Sequence, residues 1–376
     1  MTDISKYMQY AKSQLANLAQ FRLIRIVLGN EACDLDSTIS ACVYAYFLHS
    51  ICETPNEILH LPVLNTHAFV FRLRHEILWF LEENRSNLIF IDDINLNDLS
   101  EKGKLEIILV DHHSLRSKLN EEVVEIIDHH QVKENSIILN DSSKVKIEPV
   151  GSCCTLIGEK LLASNCFQIT DEIAYLLTGP ILFDTLNFSP SAGKTTPKDK
   201  QVYEQLFTRR TTRTDDSDLY KTLRKCAADT TGMSVQDLLQ KDVKQVVGPN
   251  IRLAVSSLPS DYTVEKLFGQ LHTMKDLDEF LSNNDNADGV VILSLETNDD
   301  QPKRQLGLYA KKFENMLPIN EYIQRSEHNL DLRERGIPIN QARLKLFEQN
   351  NAQASRKQVL PLLEQFAKDF VPQNSS

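Results

Sequence analysis

Between Glu106 and His130 the tripeptide Asp-His-His occurs twice, as Asp111, His112 and His113 and again as Asp128, His129 and His130. Each copy follows a short apolar run, LEIILV and VVEII, the pattern of buried parallel strands that deliver polar residues to their carboxyl ends. Two neighbouring strand tips would then hold carboxylates and imidazoles together, a donor set that divalent metals accept. Four of the ten histidines fall in this window, a clustering hard to assign to packing; the alternative is polar residues that merely close two strands.

The preceding residues fit the same architecture. Residues 1–20 read as a helix with apolar spacing at Ile4, Met8, Ala11, Leu15 and Leu18. The strand FRLIRIVLGN then ends in Gly29-Asn30, and a loop carrying Asp34 and Asp36 leads into the apolar helix TISACVYAYFLHSI. Alternation of this kind predicts an α/β fold, a doubly wound parallel sheet with ligands beyond the carboxyl ends of its strands. Further strands are expected at EILHLPVLN and NLIFIDD, on either side of a helix FRLRHEILWFLEE. The second of them ends in Asp92 and Asp93, a rival pair for bridging metals. Beyond the second Asp-His-His, Val150-Gly151-Ser152 opens the helix CCTLIGEKLLA, whose first amides either meet a phosphate oxygen or are capped by Ser152. The helix TDEIAYLLTGP leads into ILFDTLNF, where Asp184 stands alone among apolar residues and needs a metal or a hydrogen bond as partner.

At 376 residues the chain is too long for one modest core. The expected division is 1–192 for the metal-binding domain, 193–214 for a threonine- and charge-rich linker, 215–372 for a smaller α+β domain and 373–376 for a tail. A net charge of −11 argues against general nucleic-acid binding and leaves room for a small anionic phosphate substrate met by local cations. Basic residues mark turns of the second domain, among them Lys241, Lys244, Lys311 and Lys312. Arg356 and Lys357 open a helix, where cations oppose the dipole and so suit an anion. Seven cysteines without finger or disulfide spacing read as buried thiols of a reducing compartment. No apolar run reaches the roughly 18 residues of a membrane span, and no secretion signal opens the chain, so a soluble cytoplasmic protein is expected.

The segments GNEACDLDS (29–37), ILVDHH (108–113), IIDHH (126–130) and ILFDTLNF (181–188) resemble the DHH phosphoesterase superfamily, in the branch of prune-type exopolyphosphatases and manganese-dependent inorganic pyrophosphatases. VGSCCTLI, GKTTPKDKQVYEQL, LLQKD and SRKQVLPLL extend the resemblance over nearly the whole chain. It implies two divalent metal ions, Mn2+ or Mg2+ with Co2+ as a further option, in the first domain, and a second domain that closes over them. Asp34 and Asp36 would each take one metal, Asp111 would bridge both, and His129 and Asp184 would complete the set. His130 would contact phosphate, His112 and His113 the leaving group or the surroundings of the metals, and Lys244, Arg356 and Lys357 further phosphate oxygens. Asn30 stands where the pyrophosphatases carry a histidine ligand, so the resemblance makes it a weaker, oxygen-donating ligand that favours magnesium. The implied activity is hydrolysis of short-chain polyphosphate. Cyclic-nucleotide phosphodiesterase activity is the alternative, and regulation of a nucleoside diphosphate kinase a third reading.

Overall fold

The two apolar runs ahead of the Asp-His-His motifs are neighbouring parallel strands in the computed structural model, which describes residues 3–372 apart from 116–117, 133–136, 138, 140, 191–192, 212–214, 261, 271–273, 297–301 and 337–341. The expected tail 373–376 lies outside the described residues. The first sheet contains β1 (Leu23–Leu28), β2 (Ile58–Val63), β3 (Leu105–Val110), β4 (Val123–Asp128) and β5 (Val145–Ile147), in the order β2-β1-β3-β4-β5. Every pairing is parallel. The chain leaves β1 towards β2 on one side and returns to β3 on the other, so the winding reverses between the tips of β1 and β3, the place where doubly wound sheets bind ligands.

Helices cover the faces. After α1 (Ile4–Gln14), the central helix α2 (Leu35–Ser50) has every residue from Leu35 to Phe47 buried. It packs on β1 and β2 and on α3 (Cys153–Leu162) and α4 (Asp171–Asp184), so it has no polar face to show. Trimming one of its large apolar side chains, such as Ile39, to alanine would cost about 2–5 kcal/mol.

Several expectations need correction. NLIFIDD forms no strand: Phe90 makes one parallel bridge to Leu64, and Ile91–Asp93 then turn sharply because the Asp93 carboxylate accepts from the Phe90 amide at 2.9 Å. The expected helix at 71–83 is two short pieces, Ala68–Phe71 and His75–Leu81. The chain divides into two compact units, Met1–Ala227 and Ala228–Ser376. The stretch expected as a linker contains α5 (Pro197–Phe207), and α6 (Asp216–Ala228) follows it. Val202, Tyr203 and Leu206, with Leu219 and Leu223, join the core of the first unit, which overrides the polar composition.

The second unit is a mixed sheet of β6 (Val243–Val247), β7 (Arg252–Ser257), β8 (Gly289–Glu296), β9 (Lys303–Ala310), β10 (Leu332–Arg335) and β11 (Leu344–Gln349). Its order is β10-β11-β9-β8-β7-β6, with only β7 and β8 parallel. Separate apolar clusters cover its two faces, and α7 (Arg356–Asp369) packs on β6 and β7. Among the described residues no helix is long and apolar enough to cross a membrane. Cys33, Cys42, Cys153 and Cys154 are buried thiols, whereas Cys166 is exposed.

Candidate active site

The loop after β1 is built for close approach. A Cβ on Gly29 would lie 2.4 Å from Ser37 Oγ, which accepts from the Asn30 amide at 2.7 Å. The Asn30 side-chain oxygen accepts from the amides of Ala32 (2.8 Å) and Cys33 (3.1 Å), so its Nδ2 must face the other way. There it donates to Asp111 Oδ2 at 2.6 Å. Asp34 caps α2 by accepting from the Ser37 amide at 3.0 Å. Asp36, only 3% exposed, accepts from the amides of Cys153 at 2.5 Å and Cys154 at 2.8 Å. The first amides of α3 therefore serve a carboxylate of this chain, and Ser152 makes no side-chain capping bond.

The tips of β3 and β4 supply the rest. Asp111 follows β3 with φ +64°, a left-handed conformation that aspartate tolerates better than most residues. Its Oδ1 lies 3.1 Å from His129 Nε2 and 3.6 Å from His130 Nδ1. The other nitrogen of His129, Nδ1, sits 2.9 Å from the Val150 carbonyl and can only donate to it. Nε2 is then the nitrogen that faces Asp111 Oδ1: it donates to that oxygen when the ring is charged and offers a lone pair to a cation when the ring is neutral. Asp184, at the end of α4, has a buried Oδ2 with no hydrogen bond by distance and angle among the described residues.

The charges agree with this geometry. Burial, then Asp36, holds the Asp111 carboxyl well above the ordinary range. Burial and Asp36 raise Asp34 as well, and burial with Asp36 and Asp34 raises Asp184. Burial alone would lower His129, yet Asp111 and Asp36 lift it to about 10. Carboxylates packed this closely lack positive charge, and opposed oxygen and imidazole donors fit a divalent cation. Asp111, His129 and His130 offer donor atoms within 4.8 Å of one another.

Asp128 escaped the sequence reading as a separate player. It is fully buried and accepts from the amides of His129 (2.7 Å) and His130 (3.2 Å), from His130 Nδ1 at 2.8 Å and from His113 Nδ1. Burial pushes its carboxyl up, but His130 and His113 outweigh this and hold it well below the usual range. It ties one Asp-His-His to the other through Nδ1 of His113 and Nδ1 of the half-exposed His130. Arg74 was also missed, for lack of any motif: its guanidinium donates to the Ala32 carbonyl at 2.5 Å and draws Asp34 partway down.

Both nitrogens of His112 face backbone carbonyls, Ser114 at 2.9 Å and Leu28 at 3.2 Å, so the ring braces the strand tips and has no nitrogen left for phosphate. His113 is likewise taken up by Asp128. Asp92 pairs with His67 and Asp93 with Lys12 at 2.6 Å, which removes them as rivals for the bridge. In the second unit Arg356 pairs with Asp242 at 2.7 Å and Lys357 is exposed. Lys244 lies on β6. Asn30 contributes a donor and no ligand oxygen, contrary to the sequence expectation. Asn30→Ala should therefore leave the fold intact but weaken Mn2+ binding about 10- to 100-fold, the usual effect of losing a group that orients a ligand; titration calorimetry checks this.

Comparison with known proteins identifies the family. Residues 25–181 match the DHH family, N-terminal domain, and residues 221–366 match the DHHA2 domain. The chain is 33% identical to the human protein named "Exopolyphosphatase PRUNE1", over 95% of this chain and 78% of that one. It is 30% identical to a Schizosaccharomyces pombe protein named "Putative exopolyphosphatase", over 96% of this chain and 97% of that one. Among solved structures, a Methanococcus jannaschii protein titled "putative family II inorganic pyrophosphatase" shares the fold with TM-score 0.56 and 22% identity, covering 92% of this chain and 99% of that chain.

Proposed function

Because the chain belongs to the DHH family of phosphoesterases, in its prune-type exopolyphosphatase branch, and is a hydrolase, we propose that it removes terminal phosphate from short-chain inorganic polyphosphate at a divalent-metal centre. The observation that carries this reading is the convergence of Asp111 Oδ1 and His129 Nε2, 3.1 Å apart amid the carboxylates of Asp34, Asp36 and Asp184. Those five residues would hold two ions, Mn2+ or Mg2+ with Co2+ as a substitute, with Asp111 shared between them. When bound, such ions lower the pKa of water and polarise phosphoryl oxygens.

The chain's own groups prepare that chemistry. The Val150 carbonyl fixes His129 with Nε2 as the donor atom, and Asn30 fixes the Asp111 carboxylate. Asp128 orients His130 towards a phosphate oxygen. Water forms the new bond to the terminal phosphorus, and the bridging oxygen leaves with the shortened chain, so no covalent nucleophile is needed. Arg356, Lys357 and Lys244 are assigned to substrate phosphate by family resemblance, where they would offset leaving-group charge.

The reading is tested by initial rates on tetraphosphate and on cyclic AMP with one preparation. Phosphate release from tetraphosphate should be the faster; faster formation of AMP would replace it with the phosphodiesterase reading. On tetraphosphate, Arg356→Ala/Lys357→Ala should raise KM by at least roughly tenfold, since a hydrogen bond to a charged group contributes about 1.5–3 kcal/mol, while Mn2+ affinity stays unchanged. Wild-type kinetics would confine the site to the first unit.

A further inference from the structure

The loop from Val150 to Cys154 meets two of the proposed metal ligands from behind. Its first carbonyl accepts from His129 Nδ1 at 2.9 Å, and its last two amides donate to Asp36 at 2.5 and 2.8 Å. A shift of this loop would turn the imidazole and move the carboxylate together. The loop itself is clamped by Asp199 on α5, a carboxylate with no solvent exposure. Asp199 accepts from the Gly151 amide with both oxygens (3.0 and 2.9 Å) and from the Thr155 hydroxyl at 2.6 Å. The Thr196 amide (2.7 Å) and hydroxyl (2.8 Å) also donate to it.

Capping of α5 accounts for the two Thr196 contacts only. The contacts to Gly151 and Thr155 serve the loop and the first turn of α3. The fit around Gly151 is equally tight: a Cβ there would lie 2.6 Å from Thr185 Cγ2, 3.0 Å from Asp199 Oδ2 and 3.0 Å from the Lys194 carbonyl. A side chain at 151 must therefore displace the loop or the clamp.

From this arrangement we infer that Asp199 is a positioning residue of the metal centre, acting through Gly151 on His129 and Asp36. The inference rests on the metal-centre reading above. Groups that orient ligands in this way typically change metal affinity or activity by about 10- to 100-fold when removed.

The test measures the Mn2+ dissociation constant and the metal-free melting temperature of wild type, Asp199→Asn and Gly151→Ala. Both variants should bind Mn2+ about 10- to 100-fold more weakly, in a range where the metal-free proteins are still folded. A lower melting temperature with wild-type Mn2+ affinity would reduce Asp199 to a helix cap and overturn the inference. Should either variant not fold, Thr155→Val decides, because it removes one hydrogen bond from Asp199 with little change of shape: weaker Mn2+ binding supports the inference, and wild-type affinity overturns it. Absence of Mn2+ binding by the wild-type protein is a different failure, that of the metal-centre reading itself.

Discussion

Asp111→Asn is expected to abolish phosphate release while leaving a folded protein. Asparagine is the informative replacement because position 111 has φ +64°, which asparagine tolerates and alanine does not, so backbone strain is not confused with loss of the carboxylate. The amide keeps a hydrogen-bonding partner for Asn30 but cannot supply two anionic oxygens to a shared pair of cations. The rate should fall by more than about 10³-fold, beyond the loss of a single stabilising donor. Stability of the metal-free protein should move the other way. A carboxyl raised above its ordinary range releases its proton less readily folded than unfolded, so its ionisation costs stability as pH climbs from about 4. Removing Asp111 deletes one such contribution and should raise the metal-free melting temperature at neutral pH. Phosphate release and thermal unfolding in chelator check the two halves; a folded variant retaining a substantial part of wild-type activity would show that Asp111 is not the shared ligand.

Asp128→Ala should be the most destabilising change at the site. The carboxylate is fully buried and holds His113, His130 and two backbone amides, so its loss leaves several donors without a partner. Each buried donor left without its acceptor costs about 1–3 kcal/mol. Because its carboxyl lies below the ordinary range, this stabilisation is present above about pH 4 and is lost only as pH falls through the lower folded value. Denaturant unfolding at neutral pH measures the loss; a change under about 1 kcal/mol would mean that solvent replaces the network.

Much of this is legible in the sequence. The two Asp-His-His copies end adjacent parallel strands, and the loop bearing Asp34 and Asp36 meets them where the winding of the sheet reverses. Periodicity reveals strand tips, and tips are where doubly wound sheets place chemistry. What stayed hidden depends on partners distant in sequence. Asn30 looked like a ligand by position, but two loop amides claim its oxygen. Asp128 looked like a repeat of Asp111, yet its neighbours are imidazoles and amides where those of Asp111 are carboxylates. Helix α5 was written off as linker on composition, although Thr196-Pro197-Lys198-Asp199 carries the capping box and first-turn proline of a helix start.

The central claim is that the carboxylates and His129 at the tips of the first sheet form a cation-dependent phosphohydrolase centre. Phosphate release from tetraphosphate should be measured on protein stripped with chelator and then given Mn2+. Release should cease on stripping, return as Mn2+ is added, and be absent from Asp111→Asn at every Mn2+ concentration. Stripped wild-type protein that releases phosphate at the untreated rate would contradict the account.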